Sequence, residues 1–229
     1  MRILVTGGFG YLGGRIAQSL SSEGHKIVLG SRKKQYPPKW LPDAEVVQIE
    51  WDNLECLFDI CFKVDVIVHA AGMNSQDSLL DPEGAIKSNG KSTEKLVQAS
   101  IDAKVFKFIY LSTAHVYCSP LHGKITEESP LLNKHPYALS HGIGEDALIF
   151  HSKTAKNFEG VVLRLSNGVG VPANRNANCW MLAVNDFCRQ AMESGIIEIN
   201  SPPGVERDFF PITLLCDTIN SIVCLDKTN

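Results

Sequence analysis

The sequence lacks the features that mark several protein classes. Its seven cysteines form no CxxC pair, and its net charge is only −3. Its longest apolar runs, such as 209–216, fall far short of the roughly 18 residues that span a bilayer. These absences argue against a disulfide framework, a metal site, a membrane span, a polybasic membrane anchor and a nucleic-acid surface. Met1 leads directly into an apolar strand pattern, which leaves no room for a signal or transit peptide, so we expect a cytoplasmic protein.

What the sequence does contain is an ordinary globular composition, with 44% hydrophobic and 21% charged residues. Short apolar runs alternate with helical patterns along the chain. Continuous runs such as Val66-Ile67-Val68 are typical of strands that are buried on both faces of a parallel sheet. Strands that alternate with helices predict an α/β fold with a doubly wound parallel sheet, the Rossmann fold.

The predicted elements divide the chain into a large and a small region. Strands are predicted at 3–5, 26–30, 45–49, 64–70, 106–111 and 160–165, with a weaker one at 196–199. Helices are predicted near 11–23, 53–61, 82–102 and 136–155. An asparagine-rich loop at 172–178 separates a dinucleotide-binding domain, 1–171, from a partial substrate-binding region, 172–229, that is intertwined with the last strands.

Three glycines follow the first strand at positions that suit a dinucleotide. Gly7 permits a tight bend, Gly10 lets backbone N–H groups approach a diphosphate, and Gly13 lets the next helix lie close to the strand. The helix begins here, so its unpaired N–H groups point at the anion, and we assign Tyr11 and Leu12 to the same site. The alternative is a purely structural turn.

The end of the second strand predicts the type of coenzyme. A carboxylate about 20 residues beyond the glycines would accept a hydrogen bond from the ribose 2′-OH of NAD. This strand instead ends in Ser31-Arg32-Lys33-Lys34, which offers a hydroxyl and three cations. A guanidinium pairs with a phosphate in bidentate fashion, so we assign Ser31 and Arg32 to a 2′-phosphate and favour NADP over NAD. The alternative is a solvated basic loop.

Two further segments are candidates for contact with the coenzyme. Asp52 either accepts a hydrogen bond from the adenine amino group or caps the next helix. Ala70 and Ala71 are small residues at the carboxyl end of the fourth strand, where open sheets bind ligands. His69 precedes them, and we expect it to pack near the coenzyme rather than to act in catalysis.

Candidate catalytic groups come from the fifth strand and the helix after it. Thr113 ends the strand, and Tyr137 opens a helix directly after Pro136. Thr113 can donate to a carbonyl oxygen, while Tyr137 exchanges its proton as a hydride moves to or from nicotinamide. His141 lies four residues further on and shares a helix face with Tyr137. A tyrosine, with an ordinary pKa of about 10, needs a neighbouring positive charge to act near neutral pH.

Together these motifs resemble the extended short-chain dehydrogenase/reductase family, which includes NAD(P)-dependent nucleotide-sugar epimerases and dehydratases. The resemblance covers nearly the whole chain. In chain order it is carried by Thr6-Gly7-Gly8-x-Gly10-x-x-Gly13, His69-Ala70-Ala71, Asn89 with Thr93, Ser112-Thr113, Val116-Tyr117, Tyr137 with Ser140 and Glu145, Leu163-Arg164-Leu165, and Arg207-Asp208-Phe209.

The resemblance implies roles for particular residues. It implies that Thr113 and Tyr137 are catalytic and that Asn89 supports the hydrogen-bond network of the active site. Arg207 resembles the arginine that contacts the diphosphate of a sugar nucleotide, and Asn178 is a further candidate for substrate binding. The resemblance also implies a homodimer formed through the helices near 82–102 and 136–155.

The chain departs from the family in two places. The family pattern is Tyr-x-x-x-Lys, whereas this chain has Tyr137-Ala138-Leu139-Ser140-His141. In the family the lysine holds the nicotinamide ribose and lowers the pKa of the tyrosine. Histidine is shorter and, with an ordinary pKa of about 6.5, mostly neutral at pH 7, so it offers a hydrogen bond without a full charge. The family also has a longer substrate-binding lobe, so the lobe here is expected to be small or truncated.

Three functions fit these observations. The first is an NADP-dependent enzyme that acts on a nucleotide-linked sugar as an epimerase, dehydratase or reductase. The second, suggested by His141, is a non-catalytic NADP-binding sensor or scaffold of the same fold. The third is a small-molecule carbonyl reductase.

Overall fold

Six parallel strands form the central sheet of the protein. The structure is a computed structural model that describes residues 1–118, 121, 123–200, 202 and 204–225. The strands are β1 Arg2–Thr6, β2 Lys26–Ser31, β3 Glu45–Gln48, β4 Val66–His69, β5 Lys107–Thr113 and β6 Glu159–Leu165. Their order across the sheet is β3-β2-β1-β4-β5-β6, and all of the pairs are parallel. This order confirms the predicted doubly wound Rossmann fold.

Helices cover both faces of the sheet. They are α1 Tyr11–Ser22, α2 Leu54–Cys61, α3 Ser75–Leu80, α4 Pro82–Ala85, a π-helical segment Ile86–Lys91, α5 Ser92–Asp102, a 3₁₀ turn Ala114–Val116, α6 Pro136–Thr154, α7 Ala183–Glu193 and α8 Ile212–Cys224. Two short strands, β7 Asn167–Val169 and β8 Phe209–Pro211, pair in parallel beside the main sheet.

The core has two halves because successive strand residues point to opposite faces of the sheet. Ile3 and Val5 of β1 pack in the half that includes residues of α1 and α8. Leu4, between them, packs in the half that includes residues of α2 and α5. All three side chains are buried, which is why the strand sequence is apolar without alternation.

The sequence prediction failed for several elements. The predicted strand at 196–199 is wrong, because no strand forms there and Ile196 and Ile199 are exposed. The predicted helix near 82–102 is interrupted by the π-helical segment. The helices α3, α7 and α8 and the strands β7 and β8 were not predicted.

Helix α8 is attached to the central sheet by a buried cation. Lys107 of β5 is fully buried, and its Nζ donates to the carbonyl oxygens of Ile222 at 2.7 Å and Leu225 at 2.6 Å. Carbonyls at a helix C-terminus lack intrahelical partners and favour a positive charge. Helix α8, from the predicted substrate-binding region 172–229, thus packs against one face of the central sheet. The division of the chain at residue 171 stays a prediction.

The winding of the sheet reverses between β1 and β4, which are adjacent although β2 and β3 lie between them in sequence. In open α/β sheets the crevice at the carboxyl ends of such a strand pair is where ligands bind. Among the described residues, no helix is both long and apolar enough to cross a membrane.

Candidate active site

The turn between β1 and α1 can form only with glycine at its key positions. Gly7 has a φ of +66°, and a Cβ there would lie 2.7 Å from the carbonyl oxygen of Ala70. The Gly10 N–H donates to the Gly7 carbonyl at 2.8 Å. A Cβ on Gly13 would overlap the same carbonyl. These contacts explain why glycine is needed at position 7, where a tight bend was predicted, and at position 13, where close packing of the helix was predicted. The approach of the Gly10 backbone to a diphosphate stays a prediction.

The turn leaves the amino terminus of α1 accessible to an anion. Gly10 precedes the first helical residue, Tyr11, and no side chain caps the helix there. The first N–H groups of the helix therefore lack a side-chain partner and lie at the positive end of its dipole. This cradle of backbone atoms fits the diphosphate of a dinucleotide. The side chain of Tyr11 points elsewhere, since its hydroxyl donates to the Gly170 carbonyl at 2.9 Å.

The segment after β4 contacts this turn directly. The Ala71 N–H donates to the Thr6 hydroxyl at 3.3 Å, and Ala70 is the residue that a Cβ on Gly7 would strike. His69 is buried between the hydroxyls of Thr6, 2.6 Å from Nδ1, and Thr93, 2.9 Å from Nε2. Burial lowers the pKa of His69 to about 3, with a smaller effect from the neighbouring His141. A neutral, fully enclosed His69 agrees with the packing role expected for it.

The end of β2 lies beside the glycine turn, since Gly30 is the register partner of Thr6. Ser31 is buried, and its hydroxyl accepts from the Lys33 N–H at 3.2 Å and from the Gln35 amide at 2.7 Å. The Ser31 hydroxyl is therefore part of its own loop. Arg32 is exposed.

Asp52 does not cap helix α2, so that alternative is wrong. The cap is Asn53, whose side-chain oxygen accepts from the Cys56 N–H at 3.1 Å. The Asp52 carboxylate is instead paired with Lys87 at 2.7 Å and with Lys95 at 2.9 Å. Hydrogen bonds from these two lysines lower the pKa of Asp52 to about 2. Each carboxylate oxygen already has a cation, while the contact with adenine stays a prediction.

The side chains of Thr113 and Tyr137 lie close together at the carboxyl edge of the sheet. Thr113 is buried at the end of β5, and Tyr137 lies in the first turn of α6, where its N–H donates to His135 Nδ1 at 3.2 Å. Desolvation raises the pKa of the partly buried Tyr137, and a hydrogen bond with the Thr113 side chain partly offsets this. The phenol is therefore protonated at neutral pH and is in contact with a second hydroxyl.

Asn89 holds the surroundings of this pair together from the π-helical segment. It is buried, and its side-chain oxygen accepts from the Met73 N–H at 2.6 Å. Its amide nitrogen donates to the Met73 carbonyl at 3.2 Å and to the Ser140 hydroxyl at 3.0 Å. Asn89 thus connects the segment after β4 to α6. The helical pattern gave no signal for the π-helical insertion that places it there.

His141 lies directly beside Tyr137, and it is uncharged. The two rings meet edge to face with centroids 4.6 Å apart, and His141 Nδ1 lies 2.9 Å from the Tyr110 hydroxyl. Burial lowers the pKa of His141 to about 4, so the imidazole is neutral at pH 7. The positive charge that the resemblance implies at this position is therefore missing, as the sequence indicated. Tyr110 is a partner that the sequence did not reveal.

A buried ion pair fixes the strands and the helix beneath these groups. Arg164 of β6 donates from Nη2 to Glu145 of α6 at 2.6 Å and from Nη1 to the Tyr117 hydroxyl at 2.7 Å. The Ser112 hydroxyl also donates to Glu145. These residues belong to the motifs that carry the family resemblance, but the sequence did not show that they contact one another. Together they hold β5, β6 and α6 in fixed relation behind Thr113 and Tyr137.

The two predicted substrate residues lie in different places. Arg207 lines a cavity of about 90 Å³ together with Asn167, Met181 and Phe209. Its charge also helps to lower the pKa of His115, after the larger effect of desolvation. Asn178 is exposed in the loop before α7 and, among the described residues, is not part of the lining of this cavity. The structure therefore brings Arg207 but not Asn178 to a concave surface.

The order of the parallel strands and the glycine turn after the first of them define a Rossmann fold. Residues 3–209 match the NAD dependent epimerase/dehydratase family. The chain belongs to this family, which confirms the resemblance seen in the sequence.

Individual relatives agree with this assignment. The UDP-glucose 4-epimerase of Azospirillum brasilense is 28% identical over 192 residues, which cover 80% of this chain and 54% of that protein. The dTDP-glucose 4,6-dehydratase of Streptomyces niveus is 27% identical over 184 residues, which cover 74% of this chain and 54% of that protein. The chain spans about half the length of the curated relatives that it matches.

Solved structures share the fold. MoeE5 in complex with UDP-glucuronic acid and NAD superposes with a TM-score of 0.85 at 19% identity, covering 100% of this chain and 74% of that one. The UDP-glucuronic acid 4-epimerase of Bacillus cereus, in complex with UDP-glucuronic acid and NAD, gives 0.83 at 22% identity, covering 99% and 74%.

Proposed function

We propose that this chain binds a nicotinamide dinucleotide and acts on a nucleotide-linked sugar, as an epimerase, dehydratase or reductase. The observation that carries the proposal is the placement of Tyr137, with His141 against its ring, beside Thr113 at the carboxyl edge of the sheet. The site is continuous with the glycine turn: Tyr137 touches His141, His141 Cε1 lies 4.0 Å from where a Cβ of Gly72 would be, and Ala70 touches Gly7.

The chain's own residues supply the binding surface for the coenzyme. The N–H groups at the start of α1 hold the diphosphate, and Ala70 and Ala71 let the flat part of the ligand approach the backbone. Arg32, exposed at the end of β2 where no carboxylate stands, pairs with a 2′-phosphate, which favours NADP. The two solved structures named above contain NAD, so this preference rests on the residues of the chain alone.

The catalytic residues handle the proton. A bound nicotinamide coenzyme supplies or accepts a hydride at the sugar carbon. Thr113 donates a hydrogen bond to the reacting oxygen, and Tyr137 gives a proton to that oxygen or takes one from it. Because burial raises the pKa of Tyr137 and His141 carries no charge, the phenol keeps its proton at neutral pH. The site therefore favours proton donation to a carbonyl over proton removal from an alcohol.

The neutral His141 also supports a second function. Without a cation beside it, Tyr137 stays protonated at neutral pH and cannot readily accept a proton, and each pKa unit corresponds to about 1.4 kcal/mol between its two protonation states. A protein that binds NADP as a sensor or scaffold, without turnover, needs the glycine turn but not a tuned phenol. This alternative predicts coenzyme binding without reaction.

The experiment that separates the two functions has two stages. The first measures the melting temperature with NAD⁺, NADH, NADP⁺ and NADPH, and the proposal predicts stabilisation that is larger for the NADP forms. The second incubates the loaded protein with UDP- and dTDP-linked sugars and their 4-keto forms, and follows the products by chromatography. Turnover that is lost in Tyr137→Phe, while coenzyme binding persists, supports the enzyme. Binding without turnover across the panel supports the sensor, and no binding refutes both.

We further propose a cytoplasmic homodimer. Helix α6 exposes the apolar side chains of Leu139, Ile143 and Phe150, which are 49%, 39% and 62% exposed. Burying these side chains against a second copy would remove apolar surface from water. Sedimentation velocity of the wild type and of Phe150→Glu tests this: a dimer that the substitution converts to a monomer is expected, and a monomeric wild type would refute the proposal.

A further inference from the structure

Tyr110 brings a hydroxyl into the interior directly behind His141. It lies on β5 and is 1% exposed. Its hydroxyl is 2.9 Å from His141 Nδ1 and 3.3 Å from the main-chain carbonyl oxygen of Asn89. The two rings are nearly parallel, with centroids 5.7 Å apart. The Tyr110 hydroxyl therefore has an imidazole nitrogen and a carbonyl oxygen within 3.3 Å, and a hydrogen bond with the Thr93 side chain partly offsets the rise in the pKa of Tyr110 that burial causes.

Helix α6 is built to admit this hydroxyl. Gly144 follows His141 by three residues, so the two share a helix face. A Cβ on Gly144 would lie 2.9 Å from the Tyr110 hydroxyl and 2.7 Å from the Asn89 carbonyl oxygen. Any larger residue at position 144 would push the phenol away from the imidazole. The glycine thus serves the contact between Tyr110 and His141.

The distances decide which way the phenol donates. A hydroxyl has one proton, and O–H···O bonds are usually about 2.5–3.0 Å long. The 3.3 Å separation from the Asn89 carbonyl exceeds this range, and that carbonyl already accepts from the Thr93 hydroxyl at 2.7 Å. We therefore assign the Tyr110 proton to His141 Nδ1, which is nearer than the Asn89 carbonyl, and a neutral imidazole whose Nδ1 accepts must carry its own proton on Nε2.

The ring edge that remains faces the proposed coenzyme site. Nδ1 points inward to Tyr110, while Cε1, which joins Nδ1 to Nε2, lies 4.0 Å from the position of a Cβ on Gly72, behind the nearer Asn89 side chain. Gly72 follows Ala70 and Ala71 at the carboxyl end of β4. The Cε1–Nε2 edge is thus turned toward the segment that borders the glycine turn.

We propose that Tyr110 is a positioning residue, which holds His141 as the neutral Nε2–H tautomer and aims that N–H at a ribose hydroxyl of the coenzyme. The neutral His141 thereby makes the hydrogen bond that a lysine makes in the family pattern, but it does not supply the lysine's positive charge. The target of the N–H rests on the proposed function, whereas the tautomer does not. The two statements are therefore tested separately.

The tautomer is tested on the free protein by ¹⁵N NMR of histidine-labelled wild type at about pH 7. The nitrogen shifts distinguish a bare Nδ1 from a bare Nε2. We expect His141 to show a protonated Nε2 and an unprotonated Nδ1 in the wild type, and a mixture of both tautomers in Tyr110→Phe. Tyr117→Phe, which removes a hydroxyl that contacts Arg164 instead, should leave the His141 signals unchanged. A wild-type signal with a protonated Nδ1 overturns the proposal without the need for any variant.

The hydrogen bond from His141 Nε2–H to the coenzyme is tested by a double-mutant cycle. The quantity compared is the dissociation constant of NADP⁺, measured by calorimetry. Tyr110→Phe should weaken binding about 3- to 10-fold, the effect of one oriented hydrogen bond. In the His141→Leu background the same change should have no effect, since no imidazole remains to be oriented. An equal loss in both backgrounds means that Tyr110 acts only through packing, which overturns the positioning role. A wild type that binds no coenzyme refutes the proposed function and the aim of the N–H, while the NMR result still decides the tautomer.

Discussion

The buried His141 makes the stability of the fold depend on pH, and this prediction needs neither substrate nor coenzyme. In the folded state burial lowers the pKa of His141 to about 4. In the unfolded chain an ordinary histidine has a pKa of about 6.5. Between about pH 4 and about pH 6.5, His141 is protonated in the unfolded chain but not in the folded chain. With respect to this group, the free energy of unfolding is therefore highest above about pH 6.5, and it falls as the pH drops toward 4.

The size of the effect follows from the two pKa values. At about pH 5 the unfolded histidine is almost fully protonated and the folded one is almost fully neutral. The proton then favours unfolding by about 1.5 pKa units, or about 2 kcal/mol relative to about pH 8. His69, whose pKa burial lowers to about 3, contributes a further loss of similar size.

The matched control is His141→Gln, which removes the titrating ring and keeps a polar side chain. Urea unfolding of both proteins at about pH 8 and about pH 5 gives the two changes in the free energy of unfolding. The wild type should lose about 2 kcal/mol more than His141→Gln between these pH values. Equal losses would show that His141 titrates normally in the folded state, and would remove the argument that the imidazole beside Tyr137 is neutral.

Three further predictions concern other parts of the chain. Gly13→Val should abolish stabilisation by NADP⁺ and NAD⁺ in thermal melts, because a Cβ at this position overlaps the Gly7 carbonyl and distorts the turn; unchanged coenzyme binding would contradict the assignment. Arg32→Glu should reverse the preference for NADP⁺ over NAD⁺, with at least about a 10-fold change in the ratio of dissociation constants, since a carboxylate repels a 2′-phosphate and accepts from a 2′-hydroxyl. An unaltered ratio would return Arg32 to the alternative of a solvated loop. Lys107→Met should lower the free energy of unfolding by about 3 kcal/mol in urea, because two helix-end carbonyls lose a buried charged donor; a loss below about 1 kcal/mol would mean that water replaces it.

The parts of the fold that were predicted correctly are those whose sequence pattern has a local cause. Val66-Ile67-Val68 is apolar without alternation because both faces of β4 are buried, and that condition is visible in the sequence itself. The glycines of the first turn are likewise dictated by contacts within a short stretch and by Ala70. Both features could therefore be predicted from a short stretch of sequence, although the contact of Gly7 with Ala70 could not.

The predictions that failed depend on partners far away in sequence. The isoleucines at 196–199 have the composition of a strand, but no strand forms there. Asp52 precedes a helix and looks like a cap, yet Lys87 and Lys95 take its carboxylate and Asn53 caps instead. Such competition between local and distant partners is decided only by the folded structure.

The site was predicted in its residues but not in its connections. Thr113, Tyr137 and His141 were identified from strand ends and helix spacing, and the structure brings them together. Tyr110 was overlooked, because a tyrosine inside an apolar strand run gives no sign that its hydroxyl will meet a histidine. The catalytic roles predicted for Thr113, Tyr137, His141 and Asn89 stay predictions.

A row of hydrogen bonds passes through His69 from Thr6 of the first strand to Thr93 of α5, and each donor in the row is determined. The Asn89 carbonyl can only accept, so Thr93 gives it its proton and must in turn receive one from His69 Nε2. His69 Nδ1 is then bare and takes the proton of Thr6, whose oxygen receives the Ala71 amide. The row begins at the Ala71 amide, which can only donate, and ends at the Asn89 carbonyl, which can only accept. His69 is thus a rigid polar spacer beneath the glycine turn, and a substitution there would leave two hydroxyls without their partner.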